Sequence, residues 1–257
     1  MATASPTFKK VMKGLADGEK LIPAVRSYLY DPAFPTFEVQ IHGFEEREPD
    51  YWFHPSTHPL WTERQLFFYL TQPEQLATEV HDMLSTMAIT AGNFWHSFMQ
   101  VCLIDAGILS EAEVAVADDD VLSRGHMDGT LVFGEAWEFK TMNGQKLNRL
   151  AKGSPGSAEV IESFKQMLPV YYAQAQEYMR MSGYRIMRVL IMETAYPFPM
   201  REIAIPYDPA FALGIRDKYA RVRQAVADQR MPQPCCAPQS KEAKACPARE
   251  ICPIGMM

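Results

Sequence analysis

The chain has 257 residues, 47% of them apolar and 22% charged, a balance that excludes wholesale disorder and supports a buried core in one large domain or two small ones. No apolar run approaches the ~20 residues of a membrane helix, and the opening MATASPTFKK lacks the basic-then-apolar order of a signal peptide. A soluble, cytoplasmic protein with no membrane partner is the expectation. The net charge of −6 argues against a non-specific DNA coat. It is unevenly spread: residues 101–140 carry 2 Lys and Arg against 9 Asp and Glu, and residues 141–230 carry 13 against 8. Such an order suits a metal site beside an anion-binding surface, and equally fits ordinary surface variation.

In chain order, residues 1–72 are broken by prolines (Pro23, Pro32, Pro35, Pro49, Pro55, Pro59) and rich in aromatics, among them Tyr28, Tyr30, Phe34, Phe37, Phe44 and Trp52. They predict a loop-rich wrap over a core, with one or two short helices. Residues 62–70 and 73–88 read as helical, and Thr90 can cap a further helix ending near Gly107. Three strands follow, over 113–117, 125–133 and 135–142, the last two joined by the Phe133-Gly134-Glu135 turn of a hairpin. Residues 142–157 read as a mobile basic loop. Helix returns over 158–168. Pro169 kinks it or opens a second helix ending at Gly183. A core strand over 185–193, an edge strand over 201–207 and a helix over 210–230 complete a core unit of residues 73–230. Residues 231–257 form a Pro- and Cys-rich tail. The pattern describes an α/β fold, a small mixed sheet flanked by helices.

The chemistry concentrates on the hairpin. Glu138 and Lys140 are two apart on one strand and share a face, while Trp137 and Phe139 face the opposite side, into a core. Asp128, in Gly125-His126-Met127-Asp128-Gly129, lies across the short turn from them. Two carboxylates and a lysine on a core sheet are costly unless something compensates them, and oxygen donors suit Mg²⁺ or Mn²⁺. His126 reads as structural. His54 and His58 could touch DNA or pack a loop. Glu193 ends a core strand near the expected site.

An Asp, a ten-residue step and Glu-x-Lys together resemble the catalytic core of PD-(D/E)xK nucleases. Three matches narrow this to the RecB-type family: Gly92-Asn-Phe-Trp-His96 resembles its helical motif, Gly125-His-Met-Asp-Gly129 its second motif, and Gln174-Ala-Gln-Glu-Tyr178 its Gln-x-x-x-Tyr helix, in the family's order. The resemblance covers about residues 85–195 together with a cysteine-rich C-terminus like that of the iron–sulfur members, which include CRISPR-associated RecB-like exonucleases and phage-encoded relatives. It implies a PD-(D/E)xK restriction-endonuclease-like core. It further implies that His96, Asp128, Glu138 and the carbonyl of Phe139 hold Mg²⁺ or Mn²⁺, that Lys140 is the catalytic lysine, and that Gln174 and Tyr178 line the site. The last two are one helical turn apart and so share a face.

Four of five cysteines lie in the tail: Cys235, Cys236, Cys246 and Cys252. With no export signal, such clustering reads as metal or iron–sulfur binding. The iron–sulfur members place one cysteine ahead of the helical motif; here none precedes His96, and Cys102 follows it. Either Cys102 is the distant ligand, or the four tail cysteines form a site themselves, or the site is degenerate. A [4Fe–4S] cluster and a structural Zn²⁺ both remain open.

The expected activity is metal-dependent hydrolysis of DNA, single-stranded or with free ends, as an exonuclease in recombination, repair or replication of a phage or bacterium. Lys146, Arg149 and Lys152 would hold phosphates, and N-terminal aromatics would stack on bases. The other class is a non-catalytic nuclease-like module that binds nucleic acid, or a recombination or CRISPR-adaptation partner, through a zinc tail.

Overall fold

The computed structural model describes residues 13, 15, 17–29, 49–77 and 83–254. A single five-stranded sheet has the order β1-β2-β3-β4-β5, with β1 Leu109–Asp118, β2 Ser123–Leu131, β3 Ala136–Met142, β4 Ile186–Glu193 and β5 Met200–Pro206. All neighbours run antiparallel except β3 and β4, which are parallel. A parallel pair needs a crossover, and it is supplied by α4 (Gly144–Arg149), α5 (Ala158–Met167) and α6 (Pro169–Ser182). The result is a mixed sheet flanked by helices, as the order of elements predicts.

Helices cover both faces. On one, Val160 and Phe164 of α5 and Tyr172, Ala175 and Met179 of α6 pack on Met127, Val189 and Ile203 of the sheet. On the other, α1 (Leu21–Leu29) and α3 (Met83–Asp105) bury Leu21, Ile22, Met99 and Leu103 against Trp137, Phe139 and Leu190. A third core joins α2 (Glu63–Thr71), α7 (Pro209–Ala227) and the tail, around Phe53, Phe68, Tyr219, Ala248 and Cys252. The Phe53 backbone bonds Leu122 and Arg124, which ties the segment around Phe53 to the start of β2. Tyr30, Phe34, Phe37 and Phe44 lie outside the described residues.

The proline and glycine punctuation of α6 holds: Pro169 opens it, and Gly183, at φ 81°, closes it. Three expectations are corrected. Thr90 caps nothing; α3 runs through it, and its hydroxyl bonds back to the Thr86 carbonyl at 2.9 Å. Residues 73–88 are not one helix, because Pro73–Gln75 is a single 3₁₀ turn and α3 begins at Met83. The basic segment after β3 is not all loop: Asn143 caps α4, which buries Leu147 beneath its exposed Lys146 and Arg149. Among the described residues no helix is long and apolar enough to cross a membrane.

Candidate active site

The site lies where β2 and β3 part. They pair only at Gly129–Trp137 and Thr130–Ala136, so the next N–H along β3, that of Phe139, has no strand partner there. Asp128 Oδ2 accepts it at 2.6 Å, which fixes that carboxylate in the wedge. From the second face α3 supplies His96, whose Nε2 stands 3.3 Å from Asp128 Oδ1. Gly92, one turn earlier, permits the approach, since a Cβ there would sit 3.2 Å from Thr141 Oγ1. On the other face Lys140 Nζ lies 2.6 Å from Glu138 Oε1, to which Gln174 Nε2 also donates at 2.9 Å. Tyr178 OH is 3.5 Å from that same Gln174 nitrogen.

His96, Asp128, Glu138, Lys140, Gln174 and Tyr178, spread over 83 positions of sequence from first to last, thus converge on one wedge. Phe139 contributes its N–H, while its ring packs in the core behind, stacked at 6.4 Å from the His96 imidazole. The expected alternation holds: Trp137 and Phe139 are buried on the α3 side, and Glu138 and Lys140 face α6.

Burial, and then the Asp128 charge, push the Glu138 carboxyl up to about 7. Burial also opposes charge on Asp128, but the His96 contact, the Lys140 ammonium and the Phe139 N–H hold it below the usual carboxylate range. For Lys140 burial is outweighed by Glu138 and Asp128, which keep the amine protonated well above neutrality. Burial likewise works against the imidazolium of His96, and the carboxylates of Asp128, Glu113 and Glu138 overcome it.

Among the buried side-chain atoms that make no hydrogen bond, two belong to this wedge: Glu138 Oε2, and His96 Nε2, whose 3.3 Å approach to Asp128 Oδ1 is an ion-pair distance only. Orphaned donors of this kind, beside a second carboxylate, are what a hard divalent cation takes as ligands. Among the described residues no three His, Cys, Asp or Glu side chains form a ready-made cage. Instead Glu138 is paired with the Lys140 ammonium, and Asp128 stands beside the His96 imidazole.

Three further groups complete the surroundings. Glu113 lies across β1 from Asp128 with its carboxylate 3.9 Å from His96 Nε2, and Gln100 donates to it at 2.6 Å. The Lys140 ammonium stands 5.2 Å from the centre of the Tyr171 ring. Position i+4 from His96 is the signal for Gln100, and i−3 from Gln174 that for Tyr171. Two clefts, of about 650 and 840 Å³, open on either side, with Asp128 and Ser56 on the lining of both. Lys146, Arg149 and Lys152 are exposed and lie outside these linings. His54 lines the first cleft, whereas His58 is buried against Tyr69 and Trp61. Glu193 packs so tightly on Gly144 that a Cβ there would fall 2.1 Å from its carboxylate.

At the far end of the molecule all four tail cysteines line one small cavity under the first turn of α2. Arg64 and Gln65 of that turn donate to Cys252 Sγ at 3.6 Å and to Cys246 Sγ at 3.5 Å. Cys102 is apart from them, fully buried in α3, with its thiol pushed up to about 12 by burial and by Asp105. It is a core residue.

No protein-family model and no curated protein matches the chain. Among solved structures it is similar to an alkaline exonuclease from Laribacter hongkongensis, LHK-Exo, at 14% identity and a TM-score of 0.47, over 70% of this chain and 90% of that one. The same protein in complex with dAMP gives 14% identity and 0.47, over 70% and 89%. The crystal structure of SSO0001 is similar at 14% identity and 0.40, over 92% and 96%. At these values the likeness assigns no activity, and the chemistry of the site stands on its own residues.

Proposed function

We propose that the chain is a metal-dependent deoxyribonuclease, acting on DNA ends, with its site built from His96, Asp128, Glu138 and Lys140. The observation that carries this reading is their convergence in the β2–β3 wedge, with Glu138 Oε2 buried and making no hydrogen bond and His96 Nε2 held only by its 3.3 Å approach to Asp128. His96, Asp128 and Glu138 would hold Mg²⁺ or Mn²⁺, with the Phe139 carbonyl as a further ligand. When bound, the cation supplies positive charge to the scissile phosphate and to the leaving oxygen. Lys140 is protonated and serves as a fixed ammonium beside the developing phosphate charge, not as a base. Gln174 holds Glu138 in place through its amide. The two clefts meeting at Asp128 give a strand a path through the site, one arm on each side of the scissile bond.

The tail belongs to the same proposal. Its four cysteines bind a metal centre, a [4Fe–4S] cluster or Zn²⁺, that ties residues 231–254 to α2. The four sulfurs line one cavity with two donors aimed at them, which supports this reading; no three of them form a ready-made cage, so a bound metal would draw them together.

The test is digestion of end-labelled single- and double-stranded DNA with Mg²⁺ or Mn²⁺, alongside calorimetric metal binding. Asp128→Ala and Glu138→Ala are expected to lose both metal binding and cleavage. Lys140→Ala is expected to lose cleavage while still binding metal at alkaline pH. Intact DNA with the wild-type protein under every condition, or a fully active Asp128→Ala, overturns the reading.

A further inference from the structure

The side chains of Arg64, Arg180 and Arg188 are all buried, each less than a tenth exposed. Arg188 is held by Glu135 and Glu202, and Arg180 by Glu177 and Asp118, as buried guanidinium groups must be. Arg64 is the exception. No ion pair among the described residues involves it. Its Nε and Nη2 donate to the Pro232 carbonyl at 3.0 and 2.7 Å, and its Nη1 points to Cys252 Sγ at 3.6 Å. A neutral carbonyl and a neutral thiol do not balance a buried full charge. Four thiolates on one metal centre do, because both Zn²⁺ and a [4Fe–4S]²⁺ core leave the assembly with net negative charge.

We propose that Arg64 is the counter-charge of this anionic thiolate centre, with Gln65 as a second donor to its sulfur, an inference that rests on the metal-centre reading of the tail given above. Both residues sit in the first turn of α2, whose N-terminal dipole adds to the positive field at the cavity. Gln65 is fixed for this task by the capping box. Its Oε1 accepts the Thr62 N–H at 2.8 Å, leaving Nε2 to donate to Cys246 Sγ. Arg249 also lines the cavity, but it is exposed and 3.5 Å from Glu250, so its charge is compensated elsewhere. A donor that compensates thiolate charge does more than pack. It stabilises the metal-loaded tail against ligand protonation and metal loss.

The experiment uses the full chain purified anaerobically, with iron, sulfide and zinc counted per chain. Metal release to an excess of chelator is then followed for the wild type, Arg64→Met, Arg64→Lys and Arg249→Met. Arg64→Met is expected to release its metal at least tenfold faster, Arg64→Lys to fall between, and Arg249→Met to match the wild type. A second measurement separates charge balance from simple bolting of Pro232. In metal-free Cys252→Ser protein Arg64 is an unbalanced buried charge, so adding Arg64→Met is expected to raise Tm there while lowering it in the loaded chain. Equal destabilisation in both backgrounds overturns the inference in favour of the bolt. Should Cys252→Ser not fold, the release rates decide alone, and a rate unchanged in Arg64→Met overturns the inference. Wild-type protein holding neither iron nor zinc overturns the metal-centre reading itself, a result distinct from metal-loaded protein indifferent to Arg64.

Discussion

If the wedge holds a divalent cation as proposed, Glu138 should set the acid limit of binding, and the size of that limit follows from its surroundings. Its carboxyl is held at about 7 by burial and by Asp128, yet a cation needs it ionised. From pH 7.5 to 5.5 the ionised fraction falls about 25-fold, which weakens metal affinity by about 1.9 kcal/mol. His96 is raised as well, and an imidazolium cannot ligate, so the measured slope should exceed one proton per metal over the lower part of this range. The assay is isothermal titration of Mn²⁺ at several pH values in buffers of different ionisation enthalpy, which counts protons released. Lys140→Met gives the signed control. Lys140 lowers the Glu138 pKa, so removing it should move the midpoint of the binding profile to more alkaline pH. Affinity that is flat between pH 5.5 and 7.5, or a Lys140→Met midpoint displaced toward acid, would refute the assignment of Glu138 as a buried ligand restrained by Lys140.

Three other outcomes are expected. Gln174→Ala should lower cleavage roughly ten- to a hundredfold with an unchanged circular dichroism spectrum, because it orients Glu138 rather than filling the core; a protein that unfolds would make it a core residue. Glu202 accepts the Lys20, Leu21 and Ile22 N–H groups at 2.8–3.1 Å and an Arg188 bond at 2.6 Å, so Glu202→Ala should cost about 3 kcal/mol in urea unfolding and expose α1 to protease. His58 is held near 3 by burial, with the nearby His54 and Lys218 adding to the effect, and its Nδ1 accepts the His54 N–H at 2.7 Å. The unfolded chain takes up that proton first, so stability should fall as pH drops below about 6.5, by about 1.4 kcal/mol per unit down to about pH 4, and His58→Phe should flatten this part of the curve.

What the sequence disclosed and what it hid divide by range. The hairpin, Pro169, Gly183 and the i, i+4 pair Gln174–Tyr178 are local signals, and all of them stand where they were expected. The Glu138-x-Lys140 alternation needed only the pleat of one strand. Thr90 misled because its cap chemistry has a second outlet, the carbonyl four residues back. Asn143 was an unread cap, and so α4 was taken for loop. Arg64 was invisible for another reason: its partners are Pro232 and Cys252, 168 and 188 positions away, and nothing in Glu63-Arg64-Gln65 marks the helix start as facing a thiol cluster. Glu202 at the head of α1 is the same case, a cap delivered from β5 about 180 residues later.

The self-pairing of the site explains how such a charge set survives in a core. A lone buried carboxylate would be driven to its protonated form, and two facing each other more so. Here each has a partner: Asp128 has the His96 imidazole and the Phe139 N–H, and Glu138 has the Lys140 ammonium. On the proposed function, the lysine that balances Glu138 here is also the ammonium that would face the phosphate. Were His96, Asp128 and Glu138 to hold a divalent cation, Lys140 would lose its carboxylate partner and be available to the substrate. The loss of the second β2–β3 ladder step makes this exchange possible, because continued pairing beyond Gly129 would close the wedge and bind the Phe139 N–H to a strand carbonyl. On that reading the parting of the strands serves the chemistry, and the fold offsets its cost on the outer sides of the sheet, in the β1–β2 ladder and the parallel β3–β4 ladder that runs unbroken from Ala136 to Met142.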